Sequence, residues 1–338
     1  MRRAGAAALA LVVLSGCGGG TATDGAGSTA AGSTAAGSSP AGAEADGNPV
    51  LDEDFPDPDV LEVDGTYYAY ATNTATQNVQ LATSTDLVSW ELSDADALPD
   101  LPPWVIPGKT WAPEVTQLGP GRFVMYTTTT NFQPTLQCIA VATATSPEGP
   151  FEVAGDGMLV CPTDEGGAID ASTFTDDDGT RYLLWKNDGN CCGFDTWLSI
   201  APLSEDGLTL AGPATRLVKQ DQEWEGNLVE APTLVEREGT YVLMYSANDY
   251  GSDQYAIGYA TADAVTGPYV KGADPLFTTD ASDGRYLGPG GQDVVTAEDG
   301  TDRLAFHSWY GDFSYRALNL LDLGFEGGRP VVGENSSG

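Results

Sequence analysis

Short runs of alternating apolar and polar residues follow one another along the chain from residue 48 onward. Turns that contain glycine separate these runs, and several of the runs are rich in aromatic residues. Five such turns recur, with 56, 58, 60 and 61 residues between successive glycines: Gly65, Gly121, Gly179, Gly239 and Gly300. A glycine turn between alternating runs is typical of a β-hairpin, and no long helical period interrupts the series. The pattern therefore predicts an all-β domain built from five repeats.

A second repeated phrase divides the units further. Three units carry a short strand-like phrase that is followed by a turn and an aromatic residue: Ala82-Thr83-Ser84, Ala142-Thr143-Ala144 and Ala260-Thr261-Ala262. Each unit therefore holds about four short strands, which is the plan of a propeller blade. The repeats predict a five-bladed β-propeller over residues 48–338. A β-sandwich whose turns coincide in spacing is the alternative.

An acidic residue lies seven to nine residues before each turn glycine. The five are Asp57, Glu114, Asp170, Glu230 and Asp293. Since the first strand of each blade lines the channel of a propeller, we expect one ring of carboxyl groups at one structural position. Crowded like charges raise one another's pKa, and glycoside hydrolysis needs one protonated and one ionised carboxyl group. The alternative is that acidic residues at the starts of strands simply accept backbone N–H bonds at turns.

The N-terminus resembles a bacterial lipoprotein signal. Arg2 and Arg3 precede an apolar run over residues 4–14 that is too short to span a bilayer, and Leu14-Ser15-Gly16-Cys17 resembles a lipobox. We expect a signal peptide over residues 1–17, lipidation of Cys17 and anchoring at the outer face of the bacterial cytoplasmic membrane. An ordinary signal peptide is the alternative. Residues 18–47 are nearly all Gly, Ala, Ser and Thr, which predicts a flexible tether.

The net charge and the cysteines limit which binding partners and cross-links we expect. The net charge of −35 argues against nucleic acid and favours a neutral oligosaccharide or polysaccharide, with the lipid anchor as the membrane contact. We expect a monomer. Four cysteines beyond residue 17 permit two disulfides in three pairings, of which we favour Cys138–Cys161 and Cys191–Cys192. A metal site is the competing interpretation, although the single histidine and the spacing do not form a zinc pattern.

Local motifs resemble glycoside hydrolase family 43 from about Asn48 to the C-terminus. The motifs occur in the family's order: Phe55-Pro56-Asp57-Pro58-Asp59-Val60, Ser84-Thr85-Asp86-Leu87 with Trp90, Trp111-Ala112-Pro113-Glu114-Val115, Ala168-Ile169-Asp170-Ala171, Val229-Glu230-Ala231-Pro232 and Gly288-Pro289-Gly290. The resemblance implies a five-bladed propeller that hydrolyses arabinose- or xylose-containing glycans with inversion. It implies that Asp57 is the general base, Glu230 the general acid and Asp170 the carboxylate that modulates the acid's pKa and orients it.

The resemblance also suggests further site residues. His307 resembles a family histidine near the channel axis that helps to hold a calcium or sodium ion, although the chemistry itself requires no cofactor. Gly291 departs from the family, which often has histidine after Gly-Pro-Gly, and this puts part of the substrate contact in doubt. Trp111 and Trp309 are candidates for stacking on a sugar ring, and Glu114 and Asp293 for binding substrate. Packing between blades is the alternative, and it is the role that we expect for Trp90.

Together these features predict an inverting α-L-arabinofuranosidase that acts on plant cell-wall glycans. β-Xylosidase and endo-arabinanase of the same family are the alternatives, because specificity resides in rim loops. A retaining fructosyl hydrolase would need Asn-Asp-Pro-Asn-Gly-like and Arg-Asp-Pro motifs, which the sequence lacks. A non-catalytic sugar-binding lipoprotein is the alternative of another class. The presence of Asp57, Asp170 and Glu230 argues against it.

Overall fold

The computed structural model describes residues 47–155 and 157–333. Cys17, the signal peptide and nearly all of the predicted tether lie outside the described residues. The described part is almost entirely β-structure, in five four-stranded antiparallel sheets. Its helical segments are single 3₁₀ turns: Thr163–Glu165, Gly189–Cys191, Glu223–Glu225 and Asp280–Ser282. In the part of the chain that is described, no helix is long and apolar enough to cross a membrane.

Each sheet is one blade, and its four strands follow one another in sequence. Blade 1 contains β1 (Asp59–Val63), β2 (Thr66–Ala71), β3 (Gln80–Ser84) and β4 (Glu91–Leu92). Blade 2 contains β5 (Val105–Gly119), β6 (Arg122–Asn131), β7 (Gln137–Ala144) and β8 (Glu152–Val153). Blade 3 contains β9 (Ala168–Thr175), β10 (Arg181–Asn187), β11 (Trp197–Pro202) and β12 (Thr215–Lys219). Blade 4 contains β13 (Val229–Arg237), β14 (Thr240–Ala247), β15 (Ala256–Ala262) and β16 (Val270–Lys271). Blade 5 contains β17 (Leu287–Thr296), β18 (Asp302–Tyr310), β19 (Tyr315–Glu326) and β20 (Arg329–Val332).

The predicted five-bladed propeller is confirmed, and the repeated turns fall where the pattern placed them. Every turn glycine joins the first strand of its blade to the second, as Gly65 joins β1 to β2. The three Ala-Thr phrases end the third strands β3, β7 and β15. Because the turn and the alternation recur together, the sequence alone fixes the blade boundaries closely.

The core lies between neighbouring blades. Five apolar clusters each join the facing sides of two adjacent sheets, because a sheet with two apolar faces must be covered on both. Tyr70 of blade 1 and Phe151, next to β8 of blade 2, meet edge to face at 6.3 Å in one of them. Trp90 packs against the cluster between blades 1 and 5, in agreement with its predicted packing role.

The last blade is tied to the start of the domain. The backbone N–H of Val50 donates to the carbonyl of Leu318 at 3.0 Å, and the side-chain oxygen of Asn48 accepts the N–H of Leu320 at 2.8 Å. These bonds join residues more than 260 positions apart and close the ring, which holds the five inner strands around one channel.

Candidate active site

Each blade has a similar irregularity near the channel mouth, at what we call its bulge residue, which lies within the inner strand in blades 2 to 5 and two residues before β1 in blade 1. One residue there has a left-handed backbone: Asp57 (φ 55°), Ala112 (φ 42°), Asp170 (φ 56°), Ala231 (φ 49°) and Gly291 (φ 57°). In blades 2 to 5 the ladder between the first and second strands also shifts register at this point. Such a bulge is strained for a residue other than glycine and redirects the side chains beside it.

The bulges correct the prediction that the five acidic residues share one structural position. Asp57 and Asp170 are the bulge residues of their blades, whereas Glu230 precedes its bulge by one residue. Glu114 and Asp293 lie two residues after theirs, in a position that Asp59 shares. Counting back from the turn glycine mixed these positions, because hairpin length and the extra bulge residue vary between blades. The sequence did contain a sign of this difference: Glu114 and Asp293 lie seven residues before their turn glycines, whereas the other three acids lie eight or nine before theirs.

One cavity of about 690 Å³ opens at this end of the channel. Asp57, Asp170 and Glu230 all line it, from three different blades. Trp111 lines it as well, where its indole can face a sugar ring. Trp309 is not part of the lining. Its indole N–H donates to the carbonyl of Tyr250, which does line the cavity.

Asp57 lies among groups that favour its ionised form. The Thr72 hydroxyl donates to its Oδ2 at 2.7 Å, and Nη1 of Arg316 lies 3.6 Å from its Oδ1. Burial opposes ionisation, but the charge of Arg316 and the hydrogen bond from the Thr72 hydroxyl outweigh it and hold the pKa of Asp57 below its ordinary value. Asp57 is therefore a carboxylate at neutral pH and can accept a proton.

Asp170 lies beside Glu230, and its own surroundings favour the protonated form. The backbone N–H of Ala231 donates to Oδ2 of Asp170 at 3.0 Å, which places the two acids side by side. Burial, and then the charge of Glu230, raise the pKa of Asp170 to about 8. Glu230 accepts a hydrogen bond from Tyr255 at 2.8 Å and one from Lys186 at 3.1 Å. At neutral pH Asp170 therefore retains a proton, whereas Asp57 does not.

Glu114 and Asp293 lie at the floor of the cavity together with Asp59. Their carboxyl groups accept backbone N–H groups from the next blade: Glu114 from Thr173 at 2.8 Å and Asp293 from Val60 at 2.9 Å. Burial, and then Asp293, raise the pKa of Glu114 to about 8, and burial raises that of Asp293 to about 6. These bonds join neighbouring blades, and their donors lie within strands and not at turns, where the alternative had placed them.

His307 is buried, and its Nε2 has no hydrogen-bond partner among the described residues, so an ion held at this atom stays a prediction. Its Nδ1 accepts the N–H of Asp57 at 3.0 Å, and burial followed by Arg316 lowers its pKa to about 3. A neutral imidazole that accepts at Nδ1 carries its proton at Nε2, which is then a donor. Within residues 47–155 and 157–333, no group of three or more His, Cys, Asp or Glu side chains is arranged to hold a metal ion.

Gly291 occupies a place that no side chain fits. A Cβ atom there would lie 2.6 Å from Nδ1 of His307 and 2.9 Å from Oδ1 of Asp57. His307 and Asp57 pack closely against this glycine, so a histidine side chain, as the family often has here, would not fit.

The four cysteines form two disulfides, Cys138–Cys161 and Cys191–Cys192, which is the pairing that the sequence favours. The first joins β7 to the segment that precedes blade 3. The second lies at the mouth of the cavity, where Cys191 contributes to the lining.

Sequence reasoning missed Lys186 and Tyr255, which contact Glu230, and Arg316, which lies against Asp57. Lys186 left a signal, since it interrupts the apolar run Leu183-Leu184-Trp185 of β10 with a charge that needs a partner. Tyr255 and Arg316 left none, because nothing in their local sequence separates them from other blade residues.

Several known proteins are similar to this chain in sequence or in fold. The family model described as glycosyl hydrolases family 43 matches residues 47–319. The chain is 27% identical to a β-D-galactofuranosidase of Aspergillus niger, over 73% of this chain and 74% of that protein. It is 24% identical to an extracellular endo-α-(1→5)-L-arabinanase of Bacillus subtilis, over 81% of this chain and 86% of that protein. The crystal structure of a thermostable family-43 glycoside hydrolase superposes with a TM-score of 0.74 at 30% identity, over 84% of this chain and 95% of that one. The chain belongs to glycosyl hydrolase family 43 and is a glycosidase.

Proposed function

We propose that the protein is an inverting α-L-arabinofuranosidase that removes arabinofuranosyl residues from plant cell-wall glycans. The observation that carries the proposal is the pair of unlike carboxyl environments in one cavity. Asp57 is held ionised, whereas Asp170, which lies beside Glu230, keeps a proton. Inverting glycosidases need one carboxylate that activates water and one carboxylic acid that protonates the departing oxygen.

In the proposed reaction, Asp57 takes a proton from a water molecule whose oxygen bonds to the anomeric carbon. The bond from that carbon to the glycosidic oxygen breaks, and Glu230 gives its proton to the departing oxygen. Asp170 orients the pair through its bond to the N–H of Ala231. Trp111 offers an apolar face to the ring.

The choice of sugar rests on two relatives. One is a β-D-galactofuranosidase and the other cleaves α-(1→5)-L-arabinan. Galactofuranose has a five-membered ring, and arabinose linked through O5 must have one too, because O5 is then unavailable for a six-membered ring. A furanosyl substrate therefore agrees with both relatives. Endo-arabinanase action is the second candidate, favoured by the length of the match to the arabinanase. β-Xylosidase action is the remaining alternative, and a β-xyloside serves as the comparison substrate.

The test is hydrolysis of 4-nitrophenyl α-L-arabinofuranoside, 4-nitrophenyl β-D-xyloside and linear arabinan by the domain from residue 48. We expect release from the arabinofuranoside, with the inverted anomer formed first in proton NMR spectra. Glu230→Gln and Asp57→Asn should each lose at least about 10³-fold in kcat/KM. Glu236→Gln, on the same strand as Glu230 but outside the cavity lining, is the control and should keep full activity.

Cleavage of arabinan alone would favour the endo-acting enzyme, and cleavage of the xyloside alone would favour a xylosidase. Retention of the anomeric configuration would contradict the roles given to Asp57 and Glu230.

We also propose that the enzyme acts outside the cell, anchored through Cys17 to the outer face of the cytoplasmic membrane. The basic, apolar and small-residue pattern of residues 2–17 supports this. Labelled palmitate should be incorporated into the full chain and not into Cys17→Ser. Equal labelling of both would contradict the anchor.

A further inference from the structure

A repeated hydrogen bond links neighbouring blades at the mouth of the channel. In four blades the N–H of the bulge residue donates to a side chain at the end of the second strand of the preceding blade. The bonds are Ala112 to Thr72 at 3.0 Å, Asp170 to Thr128 at 3.2 Å, Gly291 to Ser246 at 2.9 Å and Asp57 to His307 at 3.0 Å. The acceptor is a hydroxyl group in three cases and an imidazole in the fourth.

Lys186 occupies the corresponding position in blade 3. It pairs with Ile169, which precedes the bulge of its blade, as Thr128 pairs with Trp111 and His307 with Gly290. An ammonium group has three donors and no acceptor, so Lys186 cannot receive the N–H of Ala231. That N–H donates to Oδ2 of Asp170 instead, at 3.0 Å. Blade 3 therefore has a donor, Lys186, where the other blades have an acceptor. In this blade Asp170 takes over the acceptor's part and is held against Ala231, the residue next to Glu230.

The ammonium group of Lys186 is directed to Glu230. Its Nζ lies 3.1 Å from Oε2 of Glu230 and 3.7 Å from Oδ1 of Asp188, and the whole residue is buried. Tyr255 donates to the other oxygen of Glu230 at 2.8 Å. The charged or titratable groups that surround the acid are therefore Lys186, Asp170, Asp188 and Tyr255, and Lys186 is the cation among them.

We propose that Lys186 is the positioning residue of the acid: it fixes the orientation of Glu230 and sets the pH above which the Asp170–Glu230 pair loses the proton it donates. The inference rests on the proposed roles of these two acids. The charges agree with it, since Glu230, Asp170 and Asp188 raise the pKa of Lys186 against the effect of its burial. A neutral residue at this position would leave two buried carboxyl groups without a cation, and they would hold their proton to higher pH.

The first test is the pH dependence of kcat/KM for Lys186→Met, whose side chain is similar in length and uncharged. The alkaline limb should move to higher pH by at least about one pH unit, because a cation near 3 Å strongly favours ionised carboxyl groups. Lys186→Arg keeps the charge and should leave the limb near its wild-type position. Lys219→Met removes an ion-paired lysine from the same blade, bound to Asp195 at 2.6 Å, and is the matched control. A fall in kcat with an unmoved limb in Lys186→Met would overturn the proposal.

A second test needs neither turnover nor a folded Lys186 variant. The sequence has four lysines, so the ¹³Cε signals of the side chains can be assigned and titrated individually. In Glu230→Gln the titration of Lys186 should move to lower pH by at least about one pH unit, because the buried ammonium loses its nearest carboxylate. Lys219 serves as the internal reference and should not move. An unmoved Lys186 would overturn the proposal. Failure of the wild-type enzyme to cleave any glycoside would contradict the proposed function and leave this titration to decide on Lys186.

Discussion

The backbone N–H of Asp57 in blade 1 donates to Nδ1 of His307 in blade 5, at 3.0 Å. The two residues are 250 positions apart, and the bond spans the seam at which the propeller closes. Because burial, followed by Arg316, lowers the pKa of His307 to about 3, the imidazole remains a neutral acceptor across ordinary working pH. The proposed base is thus held in place by the same contact that helps to close the ring.

Gly291→Ala should disturb this contact. The new methyl group would lie 2.6 Å from the His307 ring and 2.9 Å from Oδ1 of Asp57, so one of them must move. We expect kcat to fall by about 100-fold, the usual cost of a misplacement near 1 Å. Gly300→Ala, at a similarly left-handed turn of the same blade with open space around it, is the control for backbone strain. Equal losses in the two variants would refute a steric effect on Asp57.

Arg316→Gln should narrow the active pH range from the acidic side. Burial disfavours the Asp57 carboxylate, and Arg316 is the largest of the groups that counteract it to keep its pKa low. Without the guanidinium the pKa of Asp57 rises, so the acidic limb of kcat/KM should move up by about one pH unit. Arg303→Gln removes an arginine that pairs with Asp322 in the same blade and should leave the limb unchanged. An unmoved acidic limb in Arg316→Gln would argue against Asp57 as the base.

Glu114→Gln should stabilise the protein at alkaline pH. The pKa of Glu114 rises on folding from 4.5 to about 8, so the folded state binds a proton that the unfolded state releases. Its stabilising contribution is complete below about pH 4.5 and is lost as the pH rises through about 8. The amide oxygen of Gln can still accept the N–H of Thr173 without a charge. At pH 9 we expect Tm to rise by at least about 2 °C, or roughly 1 kcal/mol for a domain of this size.

Calorimetric scans from pH 5 to pH 9 measure this difference. Glu152→Gln, an exposed change in the same blade, provides the control. Parallel curves for Glu114→Gln and the wild type would show that Glu114 does not retain its proton in the folded state.

Removal of the Cys138–Cys161 disulfide should destabilise the domain. The bond closes a loop with a sequence separation of 23, for which the chain-entropy relation gives about 3 kcal/mol. Urea unfolding of Cys138→Ala/Cys161→Ala should show a lower midpoint with activity retained at low denaturant. Cys191→Ser/Cys192→Ser gives the comparison, since that pair closes no loop beyond adjacent residues. Equal midpoints for the wild type and the first double variant would contradict the bond.

The sequence by itself determined the blade plan and the identity of the three principal acids. Turn glycines and alternating strands are local features, and each blade is assembled from neighbours in sequence, so Gly65 and its four counterparts mark the blades directly. The motifs around Asp57, Asp170 and Glu230 could likewise be read from single segments.

Only the tertiary structure decided how these acids differ from Glu114 and Asp293. The inner strands of blades 2 to 5 each contain a bulge, which changes the face of the sheet on which the following side chains lie. Counting along the chain does not reveal it. The protonation of each acid depends on partners from other blades: Arg316 for Asp57, and Lys186 for Glu230. Electrostatic interactions depend on distance through space, and the residues that set them here lie 44 or more positions away in sequence.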